Sequence, residues 1–198
     1  MGRTSDAKER LLRTGGELIH QRGYSAVSIS DACAEAGVKK GSFYHFFPSK
    51  VDFMASVIAD YSTRTATAYD EVAHGDAPPL DRLAYYLDGI KTYHIELQGL
   101  YGKVVGCPIG NLALEMSTLE AELRTSVRDE LSANRASFEM CVRDAIDRGD
   151  IPAMDPGAAA RAIQAQIQGM VMQAKVEDNP DALDGLRTSV FQLLGVVG

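Results

Sequence analysis

Residues 28–50 decide the fold: Ser28-Ile29-Ser30-Asp31-Ala32-Cys33-Ala34-Glu35-Ala36-Gly37-Val38-Lys39-Lys40-Gly41-Ser42-Phe43-Tyr44-His45-Phe46-Phe47-Pro48-Ser49-Lys50. Ser28 followed three residues later by Asp31 reads as a helix N-cap with an acid at N3, a weaker relative of the capping box. Ile29, Ala32, Cys33 and Ala36 then recur at the spacing of one helical face. Gly37 stops that helix. After the link 37–39, a second short helix spans about Lys40 to Phe46, and Pro48 ends it. Two short helices on a tight, glycine-containing link form a helix-turn-helix. In that motif the second helix lies in the DNA major groove and the first braces it against the backbone.

The second helix carries suitable chemistry. Lys39 and Lys40 bring cations to its start, where free backbone amides also face phosphate. Gly41 has no side chain, so another backbone can come close. Ser42, Tyr44 and His45 offer hydroxyl and imidazole groups, and Lys50 adds a cation at the start of the next helix. Phe43, Phe46 and Phe47 read as anchors into a three-helix core. Tyr44 or His45 alone would read as an ordinary surface or packing residue; the spacing gives them meaning together.

Outward from this stretch the period stays helical, and no run of period-two alternation supports a strand. A first helix runs from about Ser5 to Arg22, with Leu11, Leu12, Gly15, Leu18 and Ile19 on one face and Gly23 at the left-handed C-terminal position. Ser49 caps a fourth helix. A loop at 74–79 precedes a fifth, with Leu83, Leu87, Ile90, His94 and Leu97 on one stripe; a histidine so placed reads as a satisfied core residue. Residues 99–106 are irregular. A sixth helix starts near Pro108, a seventh spans about 119–148, an eighth about 156–177 and a ninth about 180–194. The expectation is an all-α protein of about nine helices, with a DNA-binding head at 1–50 and a sensing and dimerisation body at 51–198.

The net charge of −7 argues against nucleic acid only as an average. Residues 1–50 hold eight Lys/Arg against five Asp/Glu, whereas 51–198 hold twelve against twenty-two. A basic head on an acidic body directs only the head toward an anion. No apolar run approaches the roughly 18 residues a membrane helix needs. Met1 to Asp6 lacks the apolar core of a signal peptide, so a cytoplasmic protein is expected. Three cysteines without a short pairing pattern suggest neither disulfides nor a zinc site, and nothing calls for a cofactor.

Residues 28–50 resemble the head of the TetR family of bacterial repressors. The block Gly37-Val38-x-Lys40-Gly41-Ser42-Phe43-Tyr44-His45-Phe46-Phe47-x-x-Lys50 carries the likeness. The resemblance implies that Lys40, Gly41, Ser42, Tyr44 and His45 sit at the groove and that Ser28 and Lys50 meet phosphates. It also implies a homodimer on a near-palindromic double-stranded operator. Lys39 departs from the helix-capping Ser or Thr usual in the family. The body matches in architecture more than in sequence, and the resemblance implies that the last two long helices pair with their twins. Two stripes suit this: Ile163, Ile167, Met170, Val171 and Ala174, then Leu183, Leu186, Val190 and Leu194, with small residues at Ala158, Ala159, Ala162 and Gly169. Intrachain core explains the same stripes.

In the body, Gly106-Cys107-Pro108-Ile109-Gly110-Asn111-Leu112-Ala113 puts Pro108 at a first helical position and Cys107 at or near the N-cap. Free amides and the positive helix end favour a thiolate there, the chemistry of an electrophile or oxidant sensor. A buried, space-filling cysteine is the other reading, and it is the one that suits Cys33 and Cys141. This segment, with the run Gln168-Gly169 to Lys175, resembles the TetR branch that contains the repressor of N-ethylmaleimide reductase and the acrylate-responsive repressors. That likeness implies a reactive role for Cys107 and a small-molecule or electrophile inducer. Lys175 either approaches Cys107 or simply complements its own helix C-terminus. Asn111, Gln166 and Gln173 are candidate polar groups of a pocket. A third reading has a noncovalent pocket and an inert cysteine. An enzyme with Cys107 as nucleophile lacks any visible base with an orienting partner.

Overall fold

The computed structural model describes residues 2–196; Met1 and the side chains of residues 2–5, on which the reading of the N-terminus partly rested, lie outside the described residues. Nine α-helices and no strand occur among the described residues. They are α1 (Gly2–Arg22), α2 (Ile29–Glu35), α3 (Lys40–Phe46), α4 (Lys50–His74), α5 (Pro79–Tyr101), α6 (Pro108–Met116), α7 (Ala121–Asp147), α8 (Pro156–Glu177) and α9 (Leu186–Leu193). The all-α expectation holds.

The helix ends follow local chemistry. Gly23 and Gly37 take positive φ, 82° and 63°, and let α1 and α2 stop where a Cβ would be strained. Ser28 and Asp31 form a complete capping box, stronger than the sequence suggested: Ser28 Oγ accepts from the Asp31 amide, and Asp31 accepts from the Ser28 amide. Ser49 caps α4 by accepting from the Asp52 amide at 3.1 Å. Asp155 caps α8 through the amides of Gly157 and Ala158.

The expected ninth helix over 180–194 is broken. Pro180–Leu183 forms a separate 3-10 turn, opened by Asn179, and α9 begins only after Gly185. Proline and glycine so close together divide what hydrophobic spacing alone reads as one element. The seventh helix also starts two residues later than expected.

The chain divides into two compact units: residues 1–64 with 108–130, and residues 65–107 with 131–198. The first therefore reaches past residue 50 and takes in α6, which packs on α1. Its core is aromatic. The rings of Phe43, Phe47 and Phe53 meet pairwise at 5.0–5.4 Å between centroids. Gly15 of α1 makes room for them, since a Cβ there would lie 2.3 Å from Phe53 Cζ. Phe46 is only half-buried, so the third anchor is Phe53 of α4 rather than Phe46. Leu11, Leu18 and Ile19 are buried as expected.

In the second unit, Leu83 and Leu87 of α5 share one core with Phe138, Cys141 and Val142 of α7. Ile163, Ile167, Val171 and Ala174 of α8 belong to the same core, as do Leu183, Leu186, Val190 and Leu194. The two stripes read from the sequence as dimer faces are thus buried within the protomer, apart from the partly buried Met170. An apolar stripe at helical spacing marks a face that is buried without saying against what, and here it is the protomer's own core. Arg82 is buried here; it donates to the Ala73 carbonyl at 2.7 Å and to Asp144 at 2.9 Å. Cys141 donates to the Pro79 carbonyl, and burial pushes its thiol up to about 11. Cys33 is buried as well.

Candidate nucleic-acid interface and sensor segment

α3 is seven residues long and has two faces. Phe43 is fully buried and, with Phe47 just beyond the helix, fixes its rotation in the first unit. Lys39, Lys40, Gly41, Ser42, Tyr44 and His45 are all exposed. Tyr44 is 50% exposed although its ring packs edge-on against Phe43, so a buried neighbour holds a ring that remains open to a partner. A Cβ built on Gly41 meets nothing within 4 Å. No internal contact requires that glycine, and the open approach favours an external partner. Lys39 takes the N-cap position in an extended conformation and makes no side-chain cap, so the first amides of α3 remain for other acceptors.

Ser28 and Lys50 have partners within the protein. The Ser28 hydroxyl is engaged with Asp31 in the capping box. The Lys50 ammonium donates to the Tyr24 carbonyl at 2.7 Å and sits 4.0 Å from the centroid of the Tyr24 ring. Burial pulls its pKa down, while the carboxylates of Glu115 and Asp31 push the other way. Sequence reasoning missed Glu115 altogether. Its carboxylate, on α6, accepts from the amides of Tyr24 at 2.8 Å and Ser25 at 2.7 Å. The backbone of Tyr24 is therefore held at both ends, its N–H by Glu115 and its C=O by Lys50. This clamp grips the turn between α1 and α2, directly ahead of the helix-turn-helix. An acid 91 positions along the chain leaves no spacing signal.

The four residues read as a sensor fall in different places. Asn111 is on α6 in the first unit. Cys107, Gln173 and Lys175 belong to the second. Cys107 is half-buried, immediately before α6, and packs against the core of the second unit. The group that reaches it from α8 is Gln168, whose Nε2 donates to Cys107 Sγ at 3.4 Å. Gln173 and Lys175 are exposed on α8, with Lys175 in its last turn. Gln166 is bonded to Ser189 of α9. His94, expected to be a satisfied core residue, is satisfied on one side only. It is 4% exposed, its Nδ1 bonds the Ile90 carbonyl at 2.8 Å, and its Nε2 has no partner.

An outward short helix with cations at its start and hydroxyls along it, braced by a capped helix, defines a helix-turn-helix DNA-binding regulator. Residues 11–57 match the bacterial regulatory proteins of the tetR family, and residues 79–190 match the tetracyclin repressor-like C-terminal domain. The chain belongs to the TetR family and is a regulatory protein, not an enzyme. It is 33% identical over 179 residues to the transcriptional regulator AcuR of Cereibacter sphaeroides, spanning 89% of this chain and 80% of that one. It is 31% identical over 196 residues to the repressor DhaR of Mycobacterium sp. strain GP1, spanning 98% and 94%. The fold superposes on the crystal structure of reduced Escherichia coli NemR with a TM-score of 0.86, at 24% identity, covering 98% and 99% of the two chains. No helix among the described residues is long and apolar enough to cross a membrane.

Proposed function

We propose that this protein represses transcription as a cytoplasmic homodimer that binds a near-palindromic operator through α3 and is released when the body meets a small molecule or a reactive electrophile. The observation that carries the reading is the exposed row Lys39, Lys40, Gly41, Ser42, Tyr44 and His45 on a helix whose rotation the phenylalanine cluster fixes. Tyr44, His45 and Ser42 would face base edges or phosphates, and Lys39 and Lys40 phosphates. Ser28 would donate to a phosphate only by surrendering Asp31, whereas the Lys50 ammonium has three donors and can meet a phosphate while it holds the Tyr24 carbonyl. Within the protein both shape the turn between α1 and α2 and the start of α2. DNA binding is assigned to residues 1–50, and sensing and dimerisation to 51–198.

A second copy fits the outer face of α8. Ala158, Ala162, Ala165, Gly169, Met172 and Val176 follow at alternating intervals of four and three, all exposed or half-exposed. Small residues there allow close helix approach, and Met172 and Val176 supply apolar surface. Two heads would then meet half-sites about 34–36 Å apart.

Cys107 is the proposed reactive position. Its support is partial exposure, its place just before Pro108, the amide donor from Gln168, and the relative crystallised in a form named as reduced. Asn111, Gln173 and Lys175 stay as candidate contributors. The experiment begins with genomic fragments captured by the purified protein. Operator binding is then followed with N-ethylmaleimide, methylglyoxal, hypochlorite and acrylate at fixed salt, for the natural protein and Cys107→Ser. Release of the natural protein alone supports a thiol switch. Equal release of both moves the reading to a noncovalent pocket or another cysteine. Failure to capture any specific fragment would sink the operator claim.

A further inference from the structure

We infer that His94 is the hydrogen-bond acceptor of a ligand site inside the body, and that the ligand it selects is an uncharged organic molecule presenting a hydroxyl or amide N–H. The inference rests on the reading that the body answers to a small molecule, and it names the chemistry of that molecule.

His94 lies on the inward stripe of α5, one turn after Ile90, which packs against the core that contains Leu87. A carbonyl oxygen can only accept, so the 2.8 Å contact with Ile90 places the ring proton on Nδ1. Nε2 then carries a lone pair and no hydrogen. It is buried, and no protein donor reaches it. A buried acceptor without a donor costs about 1–3 kcal/mol, and an apolar side chain of similar size would avoid that cost. An acceptor left open in this way is suited to a visitor that supplies the donor. Burial also lowers the imidazole's affinity for a proton, so the neutral ring is the form that greets the ligand. A neutral ring offers a lone pair to O–H or N–H and repels a carboxylate. The site is separate from thiol chemistry, since it asks only for a hydrogen bond.

The test uses full-length Cys107→Ser protein, which removes thiol addition at that position, labelled with 15N at its four histidines. His94→Phe assigns the signal. Long-range 1H–15N correlation spectra are recorded with 1-butanol, with its isomer methyl propyl ether, and with butyrate. In the free protein Nε2 should be the unprotonated nitrogen. 1-Butanol should move its resonance and bind about fivefold to tenfold tighter than the ether, the value of one hydrogen bond. His94→Phe should abolish that preference, and His94→Gln, which keeps an acceptor, should retain part of it; helical circular dichroism confirms that both fold. The inference is overturned if Nε2 carries the proton, if the two isomers act alike, if neither enters, or if butyrate binds with both nitrogens protonated. Operator release is read separately. A butanol shift without release by any inducer would uphold the site and end the regulatory reading, and release without any change at His94 would do the reverse.

Discussion

Glu115 shows how much one side chain can hold. Two backbone amides of the α1–α2 turn depend on its carboxylate. Replacing it with Ala leaves both without that acceptor, at a cost of about 1–3 kcal/mol for the buried share, and the thermal midpoint should fall accordingly. Its pKa is set by opposing causes. Desolvation raises it, but the hydrogen bonds from Ser25 and Tyr24 and the charge of Lys50 together lower it below the usual carboxylate value. A carboxyl that binds its proton more weakly when folded stabilises the fold above its unfolded pKa, and that contribution is lost as pH falls through the folded value. Thermal midpoints followed from neutral pH down to pH 3 should therefore drop less steeply in Glu115→Gln than in the natural protein; equal slopes would show that the clamp does not titrate as described. Two glycines make a second residue-scale contrast. Gly15→Ala drives a Cβ into the Phe53 ring and should cost about 1–3 kcal/mol by overpacking. Gly41→Ala meets nothing, so stability should hold or rise by up to about 1 kcal/mol while operator affinity falls. Denaturant unfolding and operator titration on the same samples separate the two effects. A Gly41→Ala protein with undiminished affinity would remove that residue from the interface.

At the scale of elements, α3 is the informative case, because its N-cap is a lysine that caps nothing. Lys39→Ser should stabilise the protein by about 1 kcal/mol through a new cap. It should also remove one phosphate contact per head, lowering the salt slope of operator binding by about two for a dimer. Gain of stability with an unchanged salt slope would place Lys39 away from the phosphates. The helices themselves were legible where punctuation is local: Gly23, Gly37, Ser28 with Asp31, Pro108 and Pro156 all mark ends that the structure keeps. The 3-10 turn at Pro180–Leu183 was missed because hydrophobic spacing runs through it unbroken. The inward turn of Lys50, the clamp by Glu115 and the approach of Gln168 to Cys107 were missed for a different reason. Each joins a side chain to a partner at least 26 positions away, and such pairs leave no periodic trace in one sequence.

At the scale of the whole molecule, the sequence showed that α8 carries apolar and small residues but not which of them face a partner. Ile163, Ile167, Val171 and Ala174 suited either an interface or the intrachain core, and they are core. What remains outside is the stripe Ala158, Ala162, Ala165, Gly169, Met172 and Val176. A second copy packed there would bring Ala165, near the middle of the stripe, close to its twin. Ala165→Glu tests this with little effect on the protomer, because Ala165 is exposed and glutamate is a good helix former. In a symmetric interface the substitution buries two like charges without partners, which costs several kcal/mol. Light scattering after gel filtration should then report a monomer with unchanged helical content. Operator affinity should fall by about 10²–10⁴, the advantage that linking two heads provides, while half-site affinity stays as it was. A variant that remains dimeric and binds its operator normally would move the interface to another face of the body.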